Sequence, residues 1–540
     1  MPRITVNQQA VEVPPGSTVL DACRKLGIGV PTLCHLDGLK PSTSCMLCVV
    51  KDRKTGKLLP SCTAPCRDGL DVETDTDEIR IARRTALELL LSDHLGDCEA
   101  PCQRVCPAHM NIPLMIRQIR EGAFSEALVT VKRDIALPAV LGWVCPAPCE
   151  RGCRRGQIDK PVSICLLKRF AATVDLEGGK PFRPECMPPS GMKVAIVGAG
   201  PAGLSAAYYL ARMGHSCTVF DKAKCAGGAL RTAIPEDKLP GRVLDAEIDR
   251  IRELGVQFRF STEAGVDITP DDLRASFGAV VIAVGAKGWD GFAQKMGLHT
   301  EKRGIAVKAG VFATRTPGVF AGGGCTGAPQ MAVRACGDGK DLAVSVDQYL
   351  RGADVTGPSD LFNSTLGRLK DPEKTEFLKN ADSRGRVEPS AGIPAGFTPD
   401  EARAEAGRCL HCDCRKPLSC KLREYSDEYG ARQSRYKPAE RGLTELLHDH
   451  PEIVVERGKC ILCGICVQVA REHGESLGVG FVRRGIGTRV SVPFGKSFAD
   501  GLLNAGVGCA KACPTGALSL RSAEDSAGPR LGRQQVASPG

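Results

Sequence analysis

Cysteine placement constrains this 540-residue chain more than any other feature. Nineteen of its 27 cysteines fall into four groups spread from one end to the other. The first is Cys34, Cys45, Cys48 and Cys62. The second is Cys98, Cys102, Cys106, Cys145, Cys149, Cys153 and Cys165. The third is Cys409, Cys412, Cys414 and Cys420, and the fourth is Cys460, Cys463 and Cys466 with the remote Cys513. Iron–sulfur clusters need thiolates that converge from a few short loops, and their common use is single-electron transfer. Each group has its own spacing, so the pattern also divides the chain into modules.

The chain enters directly on an alternating strand (Ile4, Val6, Val11, Val13), with no signal-peptide pattern. No run of about 18 apolar residues predicts a membrane span. The expected compartment is the cytoplasm, where thiols stay reduced and grouped cysteines mean metal rather than disulfides. Aromatics are 4% of residues, too few for a base-stacking platform, so nucleic acid is not expected as a partner. The net charge of +10 fits docking to an acidic protein instead.

Residues 1–78 combine strands, a short helix over Val19–Cys23 and the spacing C-x10-C-x2-C-x13-C. Zinc usually takes two close ligand pairs, whereas here one pair is flanked by two distant cysteines. That suits a [2Fe–2S] cluster wrapped by one loop. The segment resembles the plant-type-like β-grasp ferredoxin domain that opens the iron–sulfur G subunit of complex I and its hydrogenase and formate dehydrogenase relatives. Cys23 and Cys66 are left over and are expected to pack.

Residues 79–187 are expected to form a helical domain. Ala82, Leu87, Leu90 and Leu91 recur at helical spacing over Ile81–His94. Seven thiolates and His94 make the ligand count for two [4Fe–4S] clusters, and prolines after Cys106 and Cys145 match a cluster-loop habit. His94 reads equally well as a ligand and as an ordinary surface histidine before a loop. Its helix resembles the histidine-ligated segment of the complex I G subunit. From Cys98 through "CPAHMNIP" to "VSICLLKRF" the chain resembles the two-cluster domain of the glutamate synthase small subunit and dihydropyrimidine dehydrogenase. By that resemblance Cys98, Cys102 and Cys153 share one cluster with His94 as its fourth ligand, and Cys106, Cys145, Cys149 and Cys165 hold the other. The family has an acidic ligand near the position of Lys168, which a lysine cannot replace; Cys165, one turn earlier, is the substitute.

Residues 188–355 carry a strand over Met192–Val197, then Gly198, Gly200, Pro201, Ala202 and Gly203, a helix through Leu210, and Asp221 at the end of the next strand. Glycines let the backbone approach a pyrophosphate, the helix N-terminus stabilises its charge, and the acid takes ribose hydroxyls. The stretch Cys225–Pro240, with Gly228, Arg231 and Pro240, resembles the flavin-contacting loop of the glutamate synthase small-subunit family. The strand ending at Gly285 and the segment Thr316–Gly324, with Gly323 and Gly324, resemble its closing motifs. FAD is the cofactor this implies. Gly324 stands where the family has an aspartate, which forfeits a hydrogen bond to the flavin. Relatives insert a nicotinamide-binding domain between the closing motifs, but only about thirty residues separate Gly285 from Thr316. One βαβ unit alone takes about 30 residues. No NAD(P)H site of the family's kind is therefore expected.

Residues 356–425 read as a linker with one helix over Glu373–Asn380 and the four-cysteine motif, for which a cluster is favoured by the company it keeps and zinc is the competing reading. Residues 426–522 resemble a bacterial-ferredoxin module holding one [4Fe–4S] cluster, with Cys513 completing the Cys460 triplet and Cys509 spare. Residues 523–540 are polar and read as a disordered tail. The expected fold class is multidomain α/β and α+β: β-grasp ferredoxin, helical two-cluster domain, Rossmann-like FAD domain and C-terminal ferredoxin-like domain. No catalytic nucleophile or general base stands out. The leading expectation is an electron-transfer subunit carrying FAD, one [2Fe–2S] and three to four [4Fe–4S] clusters. Its partners would be a nicotinamide/FMN-type, formate dehydrogenase or hydrogenase subunit. Two alternatives are a self-sufficient NAD(P)H-dependent oxidoreductase and a non-catalytic metal-binding scaffold.

Overall fold

The alternating valines at the N-terminus close a hairpin, Ile4 opposite Val11, within a five-stranded sheet. Its order is Gln9–Glu12, Arg3–Val6, Asp71–Glu73, Val49–Asp52, Leu58–Pro60; only the pair Arg3–Val6 and Asp71–Glu73 is parallel. Ile4, Val6, Val50 and Val72 bury one face of the sheet against the helix Val19–Lys25. That helix begins at Thr18, whose capping box with Asp21 satisfies its first backbone donors. Cys23 and Cys66 lie in this core. The computed structural model describes residues 1–179, 181–328, 331–436 and 440–521. The expected tail, 523–540, lies outside the described residues.

The chain forms two units, each discontinuous in sequence. The first comprises Met1–Glu99, Leu361–Asn380 and the described residues from Cys412 on; the second comprises Ala100–Asp360 and Ala381–His411. The helix expected over Ile81–His94 runs Asp77–Ser92, started by Thr76 accepting from the Ile79 N–H at 3.3 Å. It belongs to the first unit rather than opening a helical domain, because a buried arginine anchors it there. Arg83 donates to the carbonyls of Leu47, Val49 and Thr74 at 3.0–3.1 Å and to the Tyr429 hydroxyl at 2.9 Å. The C-terminal part of this unit is a three-stranded antiparallel sheet, Leu446–Leu447, Ile453–Glu456 and Leu518–Leu520, with the helices Ile465–Glu472 and Gly506–Ala512.

In the second unit, the helices Ile112–Glu121, Phe124–Asp134, Pro138–Val144 and Ile164–Glu177 share a core with a five-stranded parallel sheet. The strand order is Val319–Ala321, Ala279–Ile282, Lys193–Val197, Ser216–Phe220, Gln257–Arg259, a doubly wound arrangement that places loops at the carboxyl ends of the strands. The helix Ala332–Leu350 ties the two halves together. A Cβ on Gly337 would stand 2.5 Å from the Pro107 carbonyl oxygen, and one on Gly339 would stand 2.3 Å from that of Ala202.

The expected linker is no free arm. Leu366, Leu369 and Phe377 are buried in its first-unit segment, and Phe397, Ala402 and Ala406 in its second-unit segment. Its helix spans Asp371–Leu378, two residues earlier than expected. Composition predicts solvation here, but apolar residues at helical spacing are enough to dock short segments onto a preformed surface.

Candidate metal centres and nucleotide site

Cys34, Cys45, Cys48 and Cys62 are buried together in the first unit. Cys34 is hydrogen-bonded to Cys45 and Cys48 to Cys62. Each contact makes one thiol more acidic at its partner's expense: Cys34 is pulled down to about 5 and Cys48 to about 6, while Cys45 and Cys62 are pushed up. The loop that carries Cys45 and Cys48 is pinned by the Gln468 side-chain amide, which pairs with both backbone groups of Lys40 at 3.0 and 2.9 Å.

Gln468 lies on the helix Ile465–Glu472, whose first turn carries Cys466, the last member of the Cys460 triplet. Cys513 caps the helix Gly506–Ala512 and lies close enough to Cys460, Cys463 and Cys466 to act on the charge of each. Cys509 is fully buried and donates its S–H to the Cys466 carbonyl at 3.5 Å. Cys34 acts on Cys463 as well, so the first and fourth sets are neighbours. Both contribute to one continuous core with Leu47, Ile465 and Val469.

In the second unit Cys106, Cys145, Cys149 and Cys165 line one cavity, closed by Lys168 and Val333. Cys145 is hydrogen-bonded to Cys165, which pulls Cys145 down to about 6 and raises Cys165. Lys168 is buried and donates to the Leu141 carbonyl at 3.2 Å. Burial works against its charge, but the four cysteines outweigh this and hold its pKa above the ordinary lysine value. Cys102 and Cys153 belong to a separate neighbourhood. Gly152 lies against the helix Pro101–Val105, a Cβ there standing 3.2 Å from the Pro101 carbonyl oxygen, and Arg155 donates to the Arg408 carbonyl at 3.0 Å. Cys153, next to Gly152, thereby follows directly on the residue packed against the helix that carries Cys102.

Along the third cysteine group, Cys409 falls in the second unit and Cys412, Cys414 and Cys420 in the first. Cys98 lies beside Cys414 and Cys420. The Cys414 N–H donates to the Cys98 carbonyl at 3.3 Å, and Cys98 acts on the charge of both Cys414 and Cys420. Nδ1 of His94 is enclosed without a hydrogen-bond partner. Burial, with Lys459 nearby, pushes this imidazole down to about 3.

Among the described residues no three His, Cys, Asp or Glu side chains close on a point as a single ion requires. No helix among the described residues is long and apolar enough to cross a membrane.

The glycine fingerprint forms the turn its spacing predicts. Gly198 has φ +110°, and a Cβ on Gly203 would stand 1.9 Å from the Gly198 carbonyl oxygen, so only glycine fits there. Gly200 faces open space and caps the helix Pro201–Arg212, leaving the helix N-terminus approachable. Asp221 accepts from the Ala199 N–H at 2.7 Å and the Ala223 N–H at 2.8 Å, which fixes the strand end beside the loop. Gly228 approaches the Gly200 backbone, a Cβ there standing 2.8 Å from its Cα; Gly323 abuts Ala202, Gly324 abuts Ala286, and Gly285 faces open space. Arg231 is tied to the Ala226 carbonyl at 2.8 Å and to Asp245, and Pro240 caps the helix Gly241–Arg252. Between Gly285 and Thr316 the chain makes one short helix, Trp289–Lys295, and a two-stranded hairpin.

Sequence reasoning missed Asp338, which no motif marks. It lies on the helix Ala332–Leu350 and accepts from the Gly323 N–H; burial raises its pKa to about 6 despite Arg334. A carboxyl raised above its unfolded value favours folding while protonated, so this contribution is present below pH ~4 and lost as pH rises to about 6. Asp338→Asn is expected to gain up to about 3 kcal/mol over the native chain across that window, read as the difference between their unfolding curves at low and neutral pH. Parallel curves at all pH values would show that the carboxyl is not held protonated.

Three family models match separate stretches: a 2Fe-2S iron–sulfur cluster binding domain over residues 2–77, dihydropyrimidine dehydrogenase domain II, 4Fe-4S cluster, over 93–180, and an NAD(P)-binding Rossmann-like domain over 196–255. The chain thus joins iron–sulfur cluster domains of both kinds to a Rossmann-like domain. Among curated relatives it is 41% identical over 226 residues to the NADP(+)-dependent formate dehydrogenase subunit beta of Moorella thermoacetica (38% of this chain, 31% of that one). It is 38% identical over 195 residues to the NAD-dependent dihydropyrimidine dehydrogenase subunit PreT of Escherichia coli K12 (36% and 47%). It is 39% identical over 196 residues to the glutamate synthase [NADPH] small chain of Mycobacterium tuberculosis (36% and 40%). These relatives are oxidoreductases by name, and the chain spans less than half the length of each.

Proposed function

We propose that this chain is an electron-transfer iron–sulfur flavoprotein subunit of a larger oxidoreductase, relaying electrons between clusters and FAD. The observation that carries the reading is the helix Ala332–Leu350. Its Val333 closes the cavity of Cys106, Cys145, Cys149 and Cys165, while its Gly339 packs on the N-terminal turn of the fingerprint helix. A cluster in that cavity and a flavin on that loop would share one wall. FAD passes electrons singly or as a pair, and can therefore join cluster chemistry to hydride chemistry. In the first unit the neighbouring first and fourth cysteine sets supply a [2Fe–2S] and a [4Fe–4S] site, completing a β-grasp ferredoxin module and a ferredoxin-like one. The protein's own work is to position these groups and tune their potentials by burial, charge and hydrogen bonds.

The short segment between Gly285 and Thr316 supports a chain that does not take hydride from NAD(P)H itself. A partner subunit with a nicotinamide and flavin site, a formate dehydrogenase or a hydrogenase would supply the substrate chemistry, in the cytoplasm. Anoxic mixing of the purified chain with NADPH or NADH is expected to leave flavin and cluster absorbance unbleached, while dithionite bleaches both. Rapid bleaching by either nucleotide would establish the self-sufficient alternative. A preparation with zinc and no acid-labile sulfide would establish the scaffold.

A further inference from the structure

The first unit is interrupted in sequence between Glu99 and Cys412, apart from Leu361–Asn380, and the interruption falls inside a set of buried side chains of metal-ligand type. Upstream are His94 and Cys98. Downstream are Cys414 and Cys420. We infer that these four residues form one metal centre, a three-thiolate, one-imidazole [4Fe–4S] site whose two halves are separated in the chain by more than three hundred residues.

Four observations hold the halves together. The Cys414 N–H donates to the Cys98 carbonyl at 3.3 Å, so the two thiols leave adjoining backbone. Cys420 caps the helix Lys421–Glu428, which is clamped from both sides: the Lys421 N–H donates to the Pro514 carbonyl at 2.9 Å, and Arg423 pairs with the buried Glu99 at 2.9 Å, one residue after Cys98. Gly516 makes room for the Cys414 sulfur, since a Cβ there would lie 2.3 Å from it. On the other side the Leu95 N–H donates to the Gly458 carbonyl at 2.7 Å, which fixes the backbone next to His94.

The chemistry of the donors fits a cluster. Cys98, Cys414 and Cys420 are each less than a tenth exposed. Cys98 Sγ is met by the Ser364 hydroxyl at 3.3 Å and the Ser364 N–H at 3.4 Å, the kind of donors that stabilise a cluster-bound thiolate. An enclosed histidine nitrogen without a hydrogen-bond partner normally costs stability, and a metal bond would satisfy it. Cys513 acts on the charge of Cys420, which makes this centre a neighbour of the Cys460 set, in line with the relay proposed above.

The inference rests on the reading that the chain carries clusters, and iron counting separates the two. Anoxically reconstituted full-length chain would be compared as Cys98→Ala, Cys414→Ala and the double variant, by iron and sulfide content and by electron paramagnetic resonance after reduction. Each single variant is expected to lose about four irons and one and the same signal, and the double variant to lose no more than a single. A loss of about eight irons in the double variant, or different signals lost in the two singles, would overturn the shared site and leave the relay standing. Native chain without iron or sulfide would remove both. Should the alanine variants fold poorly, His94→Cys gives an independent reading: the same signal retained, with its midpoint potential moved to a lower value because an anionic ligand replaces a neutral one. An unmoved potential for every signal would exclude His94 as a ligand.

Discussion

Glu405→Ala is expected to destabilise the second unit by about 3–5 kcal/mol, the usual result of removing one partner of a buried ion pair. Glu405 is completely buried. Its carboxylate accepts from the Ser163 N–H at 2.7 Å and the Val387 N–H at 2.8 Å and pairs with Arg408 at 2.9 Å. Arg408, equally buried, reaches Asp159 at 3.0 Å and the Lys160 carbonyl at 2.7 Å, while Arg155 pairs with the same aspartate and caps the Arg408 carbonyl. Alanine leaves the two backbone donors enclosed without their acceptor and removes the one fully buried carboxylate of the Arg408 guanidinium, which keeps Asp159 and the Lys160 carbonyl. The measurement is the shift in denaturant midpoint, with limited proteolysis in residues 381–411 as the local readout. A change below about 1 kcal/mol would mean that water reaches this network.

Lys168→Met is expected to lower the midpoint potential of one [4Fe–4S] signal by roughly 100 mV. A fixed positive charge about 6 Å from a cluster, at an effective dielectric near 20, favours the extra electron by about 3 kcal/mol. Methionine keeps the apolar stem and removes the charge, so the cavity of Cys106, Cys145, Cys149 and Cys165 should keep its shape. Redox titration of the two proteins side by side gives the result, and the other signals serve as internal controls. A uniform shift in every signal, or none, would place the charge away from the cluster.

Local chemistry was legible in the sequence; partnership across the chain was not. The turn at Gly198–Gly203 is readable because a strand, three glycines and a helix start lie within a dozen residues and each excludes alternatives. Thr76 was equally available as a helix start, yet the apolar stripe drew attention to Ala82 and Leu90 while Arg83 and Glu88 are the buried members beside Leu87 and Leu91. Charged residues look solvated in a linear reading. Arg83, Glu405 and Arg408 are enclosed because their acceptors and donors come from distant segments. The nearness of Cys98 to Cys414 and Cys420 was hidden for the same reason, since short spacings pointed only to Cys102 and Cys409 as companions.

Core residues Leu33, Leu47, Leu87 and Leu91 pack with Leu422, Ile453, Ile465 and Leu518. A ribosome extends a chain at about 5–20 residues per second, so roughly 300 intervening residues take on the order of 15–60 s to appear. Throughout that interval the early leucines and thiols have been translated without their packing mates. Folding of the first unit therefore waits for translation of the segment from Leu422 to Leu518, and any nascent-chain chaperone must protect a half-built hydrophobic interior until then.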